Sequence, residues 1–197
     1  KKIEKFSFKN KAEIDKAIEE VKSKKFNIND ISSKVVNRNP SGPFTTSTLQ
    51  QVSSGRLGFG ASRTMQIAQK LYQGIEIDGE TIGLITYMRT DGTNLSTDAI
   101  DTFRKYIKNE FGDEYVPDNA ASYSGKKAKN AQEAHEAIRP TDIMRAPGTV
   151  KKYLSPDQHK LYDLIWSRAL SSQMKPAQFD RNTITITSDD NETICKA

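Results

Sequence analysis

The sequence has 197 residues and a formal net charge of +5, with 35% hydrophobic and 28% charged residues. This length allows one or two domains with hydrophobic cores, and the composition excludes a disordered chain and an integral membrane protein. The basic, polar opening KKIEKFSFKN is not typical of a signal peptide, and a single cysteine, Cys195, excludes an internal disulfide and a cysteine-cluster zinc site. We therefore expect a cytoplasmic protein.

The predicted elements are mostly helical in the middle of the chain and extended near its ends. In chain order, the pattern first predicts a helix over residues 11–24, an extended segment from Phe26 and a breaker at 39–43. Helices over 46–54 and 63–73 follow, and then an Asp-Gly turn with a strand over 81–86. The last predicted elements are helices over 97–111, 131–138 and 156–175 and a strand over 183–187. The last residues read as a strand that is cut short, so we expect a segment of a longer protein.

Cap signals support several of these helices. Gly55 is expected to end the second helix, Ser62 and Ser96 to cap the next two, and Ser155 to open the last one with a capping box and a proline. The predicted fold class is α+β. A mostly helical domain, residues 44–175, is inserted into a β-containing domain that residues 1–43 and 176–197 form together.

The densest polar cluster directly follows the strand predicted over residues 81–86. If the extended geometry continues, Tyr87, Arg89 and Asp91 point to the same side. One interpretation is an ordinary strand end with a surface Arg-Asp pair. The other is a tyrosine that attacks phosphorus, with Arg89 binding phosphate oxygens and Asp91 orienting Arg89. A tyrosine has an ordinary pKa near 10, so such a site must supply roughly 4 kcal/mol towards ionising it at pH 7.

Two further clusters carry polar groups suited to phosphate. On the helix predicted over residues 131–138, His135 and Arg139 are four residues apart and share a face, which suits a phosphate-binding pair. The second histidine of a zinc-protease helix is missing there, so we predict no metal site. Hydroxyl residues 45–48 at a helix start either cap that helix or hold a phosphate.

Four motifs together are far more specific than any one of them. In order they are PFTTSTLQQ, LGFGASRTMQIAQKLY, GLITYMRTD and AQEAHEAIRPTD, and in this order they resemble bacterial type IA DNA topoisomerases over nearly the whole chain. Met88 is closer to the topoisomerase I branch than to the topoisomerase III branch, which typically has proline there. Gly92 departs from the serine usual in the family.

The resemblance implies roles for particular residues. Tyr87 is expected to form a 5′-phosphotyrosine link with one DNA strand and to release a 3′-hydroxyl. Arg89 is expected to position the scissile phosphate, with Asp91 as its partner. His135 is expected near the same phosphate, with Arg139 in support. DNA-binding contacts are expected from four residues of the first two motifs, Thr46, Ser47, Gln51 and Arg63.

The resemblance also implies what lies outside this chain. The family holds Mg²⁺ and a catalytic lysine in an N-terminal Toprim domain, so we expect no metal here and no relaxation activity from this segment alone. The expected partners are single-stranded DNA and the remaining domains of the same polypeptide, which acts as a monomer near the nucleoid. Two alternatives stay open, a non-catalytic module that binds single-stranded nucleic acid and a purely structural arm.

Overall fold

A computed structural model describes residues 8–123 and 135–197. Its helices are α1 (Lys11–Ser23), α2 (Thr46–Leu57), α3 (Ala61–Gln73), α4 (Thr97–Phe111), α5 (Pro147–Val150) and α6 (Pro156–Ser171). Its strands are β1 (Phe26–Arg38), β2 (Ile75–Ile77), β3 (Glu80–Ile82), β4 (Ala177–Ser188) and β5 (Ile194–Lys196). The fold is α+β, as predicted. None of the helices in the described ranges combines the length and apolar character that a bilayer span requires.

The chain divides into two compact units, residues 1–38 with 178–197, and residues 39–177. In the first unit, β4 lies between β1 and β5 in a three-stranded sheet, and β4 and β5 are antiparallel with Ile186 opposite Cys195. The turn between them is tied by Lys24, whose ammonium lies 2.9 Å from Asp190 Oδ2. This contact joins the end of α1 to the β4–β5 turn.

The second unit is built on a helical core. Contacts of α2, α3 and α5 with α6 surround fully buried residues, among them Leu49, Leu71, Leu161, Tyr162 and Ile165. α6 begins as predicted, with Ser155 and Gln158 forming a capping box and proline in the first turn. Ser96 caps α4, also as predicted.

The polar breaker at 39–43 is anchored to the end of α6. Arg168 Nε donates a 2.7 Å hydrogen bond to the Gly42 carbonyl, and its guanidinium stacks on the Phe44 ring. The Tyr123 hydroxyl contacts the carbonyl oxygens of Pro40 and Ser172. These bonds hold the chain that leads into α2.

Three local predictions were wrong. Gly55 lies inside α2, which ends instead at Gly58, where φ is 69° and the left-handed conformation suits glycine. Ser62 does not cap α3, because Gly60 occupies the N-cap. The predicted strand over residues 81–86 is ladder-paired only as β3, in a hairpin with β2 around the predicted Asp78–Gly79 turn.

The helix predicted over residues 131–138 is the largest error. Residues 131–134 lie outside the described residues, and residues 135–140 are extended. Isolated bridges join Phe44 to Ile138 and Ile85 to Pro140. Main-chain partners elsewhere in the unit therefore override the local helical composition.

Ile138 is fully buried where this extended segment enters the core. Ile138→Ala is expected to lower the free energy of unfolding by about 2–5 kcal/mol, because it removes buried methyl groups and leaves a cavity. Urea denaturation followed by the fluorescence of Trp166 measures the change. Met144→Ala is the control, since Met144 is exposed, and it should stay within about 0.5 kcal/mol of wild type. Equal effects of the two variants would contradict the packing described here.

Candidate functional site

Residues 87–91 alternate between solvent and core. Tyr87, Arg89 and Asp91 are exposed, whereas Met88 and Thr90 are buried. This alternation is the period of an extended chain, and it places the three polar side chains on one side, as predicted. The phenol of Tyr87 is accessible, because the residue is 51% exposed.

Thr46, the first residue of α2, fixes the main chain under these side chains. Its hydroxyl donates to the Met88 carbonyl at 2.8 Å and accepts from the Thr90 N–H at 2.8 Å, while its own N–H donates to the Thr90 carbonyl at 2.9 Å. The hydroxyl is thus engaged inside the protein. The DNA contact predicted for Thr46 stays a prediction, and in the structure its hydroxyl bonds to the main chain beneath the exposed residues.

Thr86, directly before Tyr87, fixes the main chain in the same way by bonds to residues 137 and 139. Its hydroxyl donates to the Ala137 carbonyl at 2.8 Å and accepts from the Arg139 N–H at 3.0 Å, and its N–H donates to the Arg139 carbonyl at 2.9 Å. Sequence reasoning gave Thr86 no role, because a threonine that replaces a main-chain partner carries no local signal. The main chain is therefore fixed on both sides of Tyr87, by the bonds of Thr86 before it and by the bonds of Thr46 to Met88 and Thr90 after it.

The ring of Tyr87 also has a neighbour on α3. The rings of Tyr72 and Tyr87 meet edge to face, with centroids 5.4 Å apart. This geometry is favourable for aromatic pairs and orients the phenol without covering it. Tyr72 is the last residue of the motif LGFGASRTMQIAQKLY, but its position in that motif did not indicate that it lies beside Tyr87.

Asp91 contacts His135 and not Arg89. His135 Nδ1 lies 3.3 Å from Asp91 Oδ1, and both side chains are largely exposed. The predicted Arg89–Asp91 pair is therefore wrong, since no hydrogen bond or ion pair of the described residues engages the Arg89 side chain. A surface pair such as Asp91–His135 contributes little to stability, so its effect is on the orientation of the imidazole.

Arg139 is bound internally, away from His135. Its Nε donates to Glu136 Oε1 at 2.7 Å, and its Nη1 donates to the Pro140 carbonyl at 2.9 Å. Glu136 Oε1 also accepts from the Ser96 N–H at the start of α4. Although burial raises the pKa of Glu136, the hydrogen bonds from Arg139 and Ser96 outweigh it and keep that pKa below its ordinary value. The predicted His135–Arg139 pair on one helix face was wrong, because this segment is extended.

Gly92 lies against the backbone of His135. A Cβ at Gly92 would be 1.6 Å from the His135 carbonyl oxygen. The Gly92 N–H donates to the Thr90 hydroxyl at 3.0 Å. In this structure the main chain of His135 therefore occupies the space that a side chain at residue 92 would need.

The other predicted DNA-binding residues lie on α2 and α3. Ser47 and Gln51 are exposed on α2. Arg63 is exposed at the start of α3, where it pairs with Asp157 and stacks on Phe59, and it lines the same groove as Arg89. Within residues 8–123 and 135–197, no group of three or more His, Cys, Asp or Glu is placed to hold a metal ion.

Comparisons with known proteins agree on one family. The family model described as DNA topoisomerase matches residues 1–197. DNA topoisomerase 1 of Rickettsia bellii (strain RML369-C) is 49% identical over 196 residues, which are 100% of this chain and 24% of that protein. DNA topoisomerase 1 of Xylella fastidiosa (strain 9a5c) is 47% identical over 89% of this chain and 22% of that protein. The solved full-length topoisomerase I from Thermotoga maritima superposes with a TM-score of 0.78 at 40% identity, over 92% of this chain and 29% of that one.

The Thr46 hydroxyl can be removed without a large change in shape. Thr46→Val is expected to cost about 1–3 kcal/mol of unfolding free energy, because the buried Thr90 N–H loses its hydroxyl acceptor. Chemical denaturation, together with hydrogen exchange of the Thr90 amide, measures the effect. Ser47→Ala, at the exposed next position, should leave both unchanged. An unchanged hydrogen-exchange rate of the Thr90 amide in Thr46→Val would rule out the hydrogen bond from this amide to the Thr46 hydroxyl.

The close approach of the His135 main chain to Gly92 predicts the effect of a side chain at residue 92. Gly92→Ala is expected to displace the His135 main chain and to shift the NMR resonances of the His135 imidazole, because a Cβ would overlap the His135 carbonyl. Gly55→Ala is the control, since nothing lies within 4 Å of a Cβ there and alanine favours the interior of α2. His135 resonances that match wild type in Gly92→Ala would show that the contact does not exist in solution.

Proposed function

This chain belongs to the bacterial type IA DNA topoisomerase I family, and from that membership we propose that it is the segment that carries the nucleophile, Tyr87, of an enzyme that cuts and reseals one DNA strand. The chain spans about a quarter of the length of the curated relatives that it matches. The activity of the whole protein is therefore part of the proposal. The observation that carries it is the exposed phenol of Tyr87 on a backbone held by Thr46 and Thr86.

The proposed reaction is a transesterification. The Tyr87 oxygen attacks phosphorus and forms a 5′-phosphotyrosine bond, while the bond from phosphorus to the 3′-oxygen breaks. The phenolic proton leaves to an acceptor, and the departing 3′-oxygen takes up a proton to become a hydroxyl. In each direction one phosphodiester bond replaces another. Before the hydroxyl attacks in reverse and restores the DNA and the free tyrosine, a second strand can pass through the break.

Arg89 is proposed to bind the scissile phosphate. A guanidinium stays charged at all relevant pH values and offers a planar set of donors to phosphate oxygens. Among residues 8–123 and 135–197 no side chain or main-chain group binds the Arg89 guanidinium, so none of them competes with a phosphate for it. The same group stabilises the negative charge that develops as the phosphorus is attacked.

His135 is proposed to act on the same phosphate, with Asp91 as its positioning residue. The 3.3 Å contact uses Nδ1 of the imidazole, which leaves Nε2 for a phosphate oxygen or a proton. Arg139 supports this arrangement indirectly, because its pair with Glu136 fixes the chain that follows His135. Gly92 leaves the space that this arrangement needs.

The remaining parts of the reaction are proposed to lie outside this chain. By family resemblance, a Toprim domain of the same polypeptide holds Mg²⁺, which supplies charge neutralisation at the phosphate. The substrate is single-stranded DNA, relaxation of negative supercoils is the outcome, and a monomer near the nucleoid is the acting form. Ser47, Gln51 and Arg63 are proposed to contact the DNA, and Thr46 to support the site from below.

The alternative is a binding module in which Tyr87 stacks on bases. The exposed ring beside Tyr72 is compatible with it. The two functions depend on different parts of Tyr87. Tyr87→Phe keeps the ring that would stack on bases and removes the oxygen that would attack phosphorus.

Covalent trapping separates these two functions. We expect the chain, supplemented with the N-terminal domain of a relative and Mg²⁺, to form a denaturation-resistant adduct that retains the label of a 3′-end-labelled strand. Tyr87→Phe should bind the strand as before and form no adduct. Tight binding without an adduct in the wild type would favour the binding module.

The chain alone is expected not to relax supercoiled plasmid, since the proposed metal site lies elsewhere. A plasmid relaxation assay with Mg²⁺ measures this. Turnover by the isolated chain that Tyr87→Phe abolishes would overturn the proposed division of the active site.

A further inference from the structure

Tyr72 lies beside the proposed nucleophile, on the last turn of α3. Its ring meets the Tyr87 ring edge to face, with centroids 5.4 Å apart and an angle of 64° between the ring planes. The β2–β3 hairpin separates the two residues in the chain. Tyr72 is 41% exposed and Tyr87 is 51% exposed, so this aromatic contact is a surface contact outside the hydrophobic core.

The main chain of Tyr72 is fixed against the segment that leads to Tyr87. Leu84 N–H donates a 2.8 Å hydrogen bond to the Leu71 carbonyl, and both leucines are fully buried. A Cβ at Gly83 would lie 2.7 Å from the Tyr72 carbonyl oxygen, so the two main chains are in direct contact there. The base of the Tyr72 side chain therefore keeps one position relative to the chain that carries Tyr87.

The ring of Tyr87 is less constrained than its main chain. The hydrogen bonds of Thr46 and Thr86 go to main-chain groups, and no described residue forms a hydrogen bond with the Tyr87 hydroxyl. A partly exposed side chain without such a bond exchanges rapidly between staggered χ1 rotamers. An aromatic neighbour with a fixed main chain favours the rotamer in which the two rings meet.

The rotamer of Tyr87 bears directly on the proposed reaction. Attack on phosphorus requires the phenol oxygen to be aligned and within about 3–3.5 Å, so only one rotamer is productive. An edge-to-face pair is strong enough to change a rotamer ratio about two- to tenfold. The rate of attack changes by the same factor, whereas affinity for DNA depends mainly on contacts to phosphates.

We propose that Tyr72 is a positioning residue for Tyr87, whose ring holds the phenol in the rotamer that attacks phosphorus and thereby raises the rate of strand cleavage. The ring of Tyr72 performs this role without its hydroxyl, because no described residue forms a hydrogen bond with that hydroxyl. The effect on cleavage rests on the function proposed above. The ordering of the phenol in the free chain does not.

The ordering of the phenol is measured by NMR of the chain with isotope-labelled tyrosine, in which the spectrum of Tyr87→Phe assigns the Tyr87 signals. Tyr72→Leu is expected to shift the Tyr87 ring resonances and to average its χ1 coupling constants, because the ring that favours one rotamer is lost. Tyr72→Phe should keep the wild-type couplings. Unchanged couplings in Tyr72→Leu would overturn the proposal.

The kinetic role is measured by the single-turnover rate of adduct formation, with the chain supplemented with the N-terminal domain of a relative and Mg²⁺. Tyr72→Leu is expected to lower this rate about two- to tenfold at an unchanged Kd for the DNA strand. Tyr72→Phe should keep the wild-type rate, since it keeps the ring. If Tyr72→Leu lost affinity and not rate, Tyr72 would contact the DNA itself and the proposal would be wrong.

Phe111→Leu is the matched control. Phe111 is exposed to a similar extent, 43%, and its ring pairs with Tyr115 at the end of α4. Phe111→Leu should leave the Tyr87 couplings and the rate of adduct formation unchanged, and an effect equal to that of Tyr72→Leu would overturn the proposal. If the wild type forms no adduct while the Tyr87 couplings respond to Tyr72→Leu, the proposed reaction and the kinetic role are wrong, and the ordering of the phenol stands.

Discussion

The surroundings of Tyr87 depend on the extended segment 135–140 and on Thr141 after it, which main-chain hydrogen bonds join to separate parts of the chain. Ala137 N–H donates to the Asn94 carbonyl, Ile138 N–H to the Phe44 carbonyl and Thr141 N–H to the Leu84 carbonyl, all at 2.8–3.0 Å. Buried N–H groups need such partners. The segment thereby ties the start of α2, the start of α4 and the tyrosine-bearing chain into one support.

Two threonine side chains add hydrogen bonds to the main chain at positions where no regular strand pairing is present. The hydroxyls of Thr46 and Thr86 each donate to one main-chain carbonyl and accept from one main-chain N–H. These hydrogen bonds fix the main chain beneath the exposed side chains, and in enzymes small displacements of reacting groups reduce rates strongly. The buried alternate residues Met88 and Thr90 leave the polar ones facing solvent.

The cations of the helical unit fall into two groups. Arg139 and Arg168 are bound to a carboxylate or to carbonyl oxygens, and each stabilises a turn or segment of the fold. Arg89 and Lys70 have no such contact among the described residues, and both line the groove beside Tyr87. Net charge alone did not distinguish these groups, because it counts every cation equally.

The sequence by itself determined the elements whose signals are local: the Ser155 capping box, the Ser96 cap, the Asp78–Gly79 turn and the period-two exposure of Tyr87, Arg89 and Asp91. The family resemblance pointed to Tyr87. Only the tertiary structure decided that residues 135–140 are extended, that Asp91 contacts His135 and that Thr46 lies beneath the site. These features rest on contacts between residues more than 40 positions apart, and local propensity contains no information about such partners.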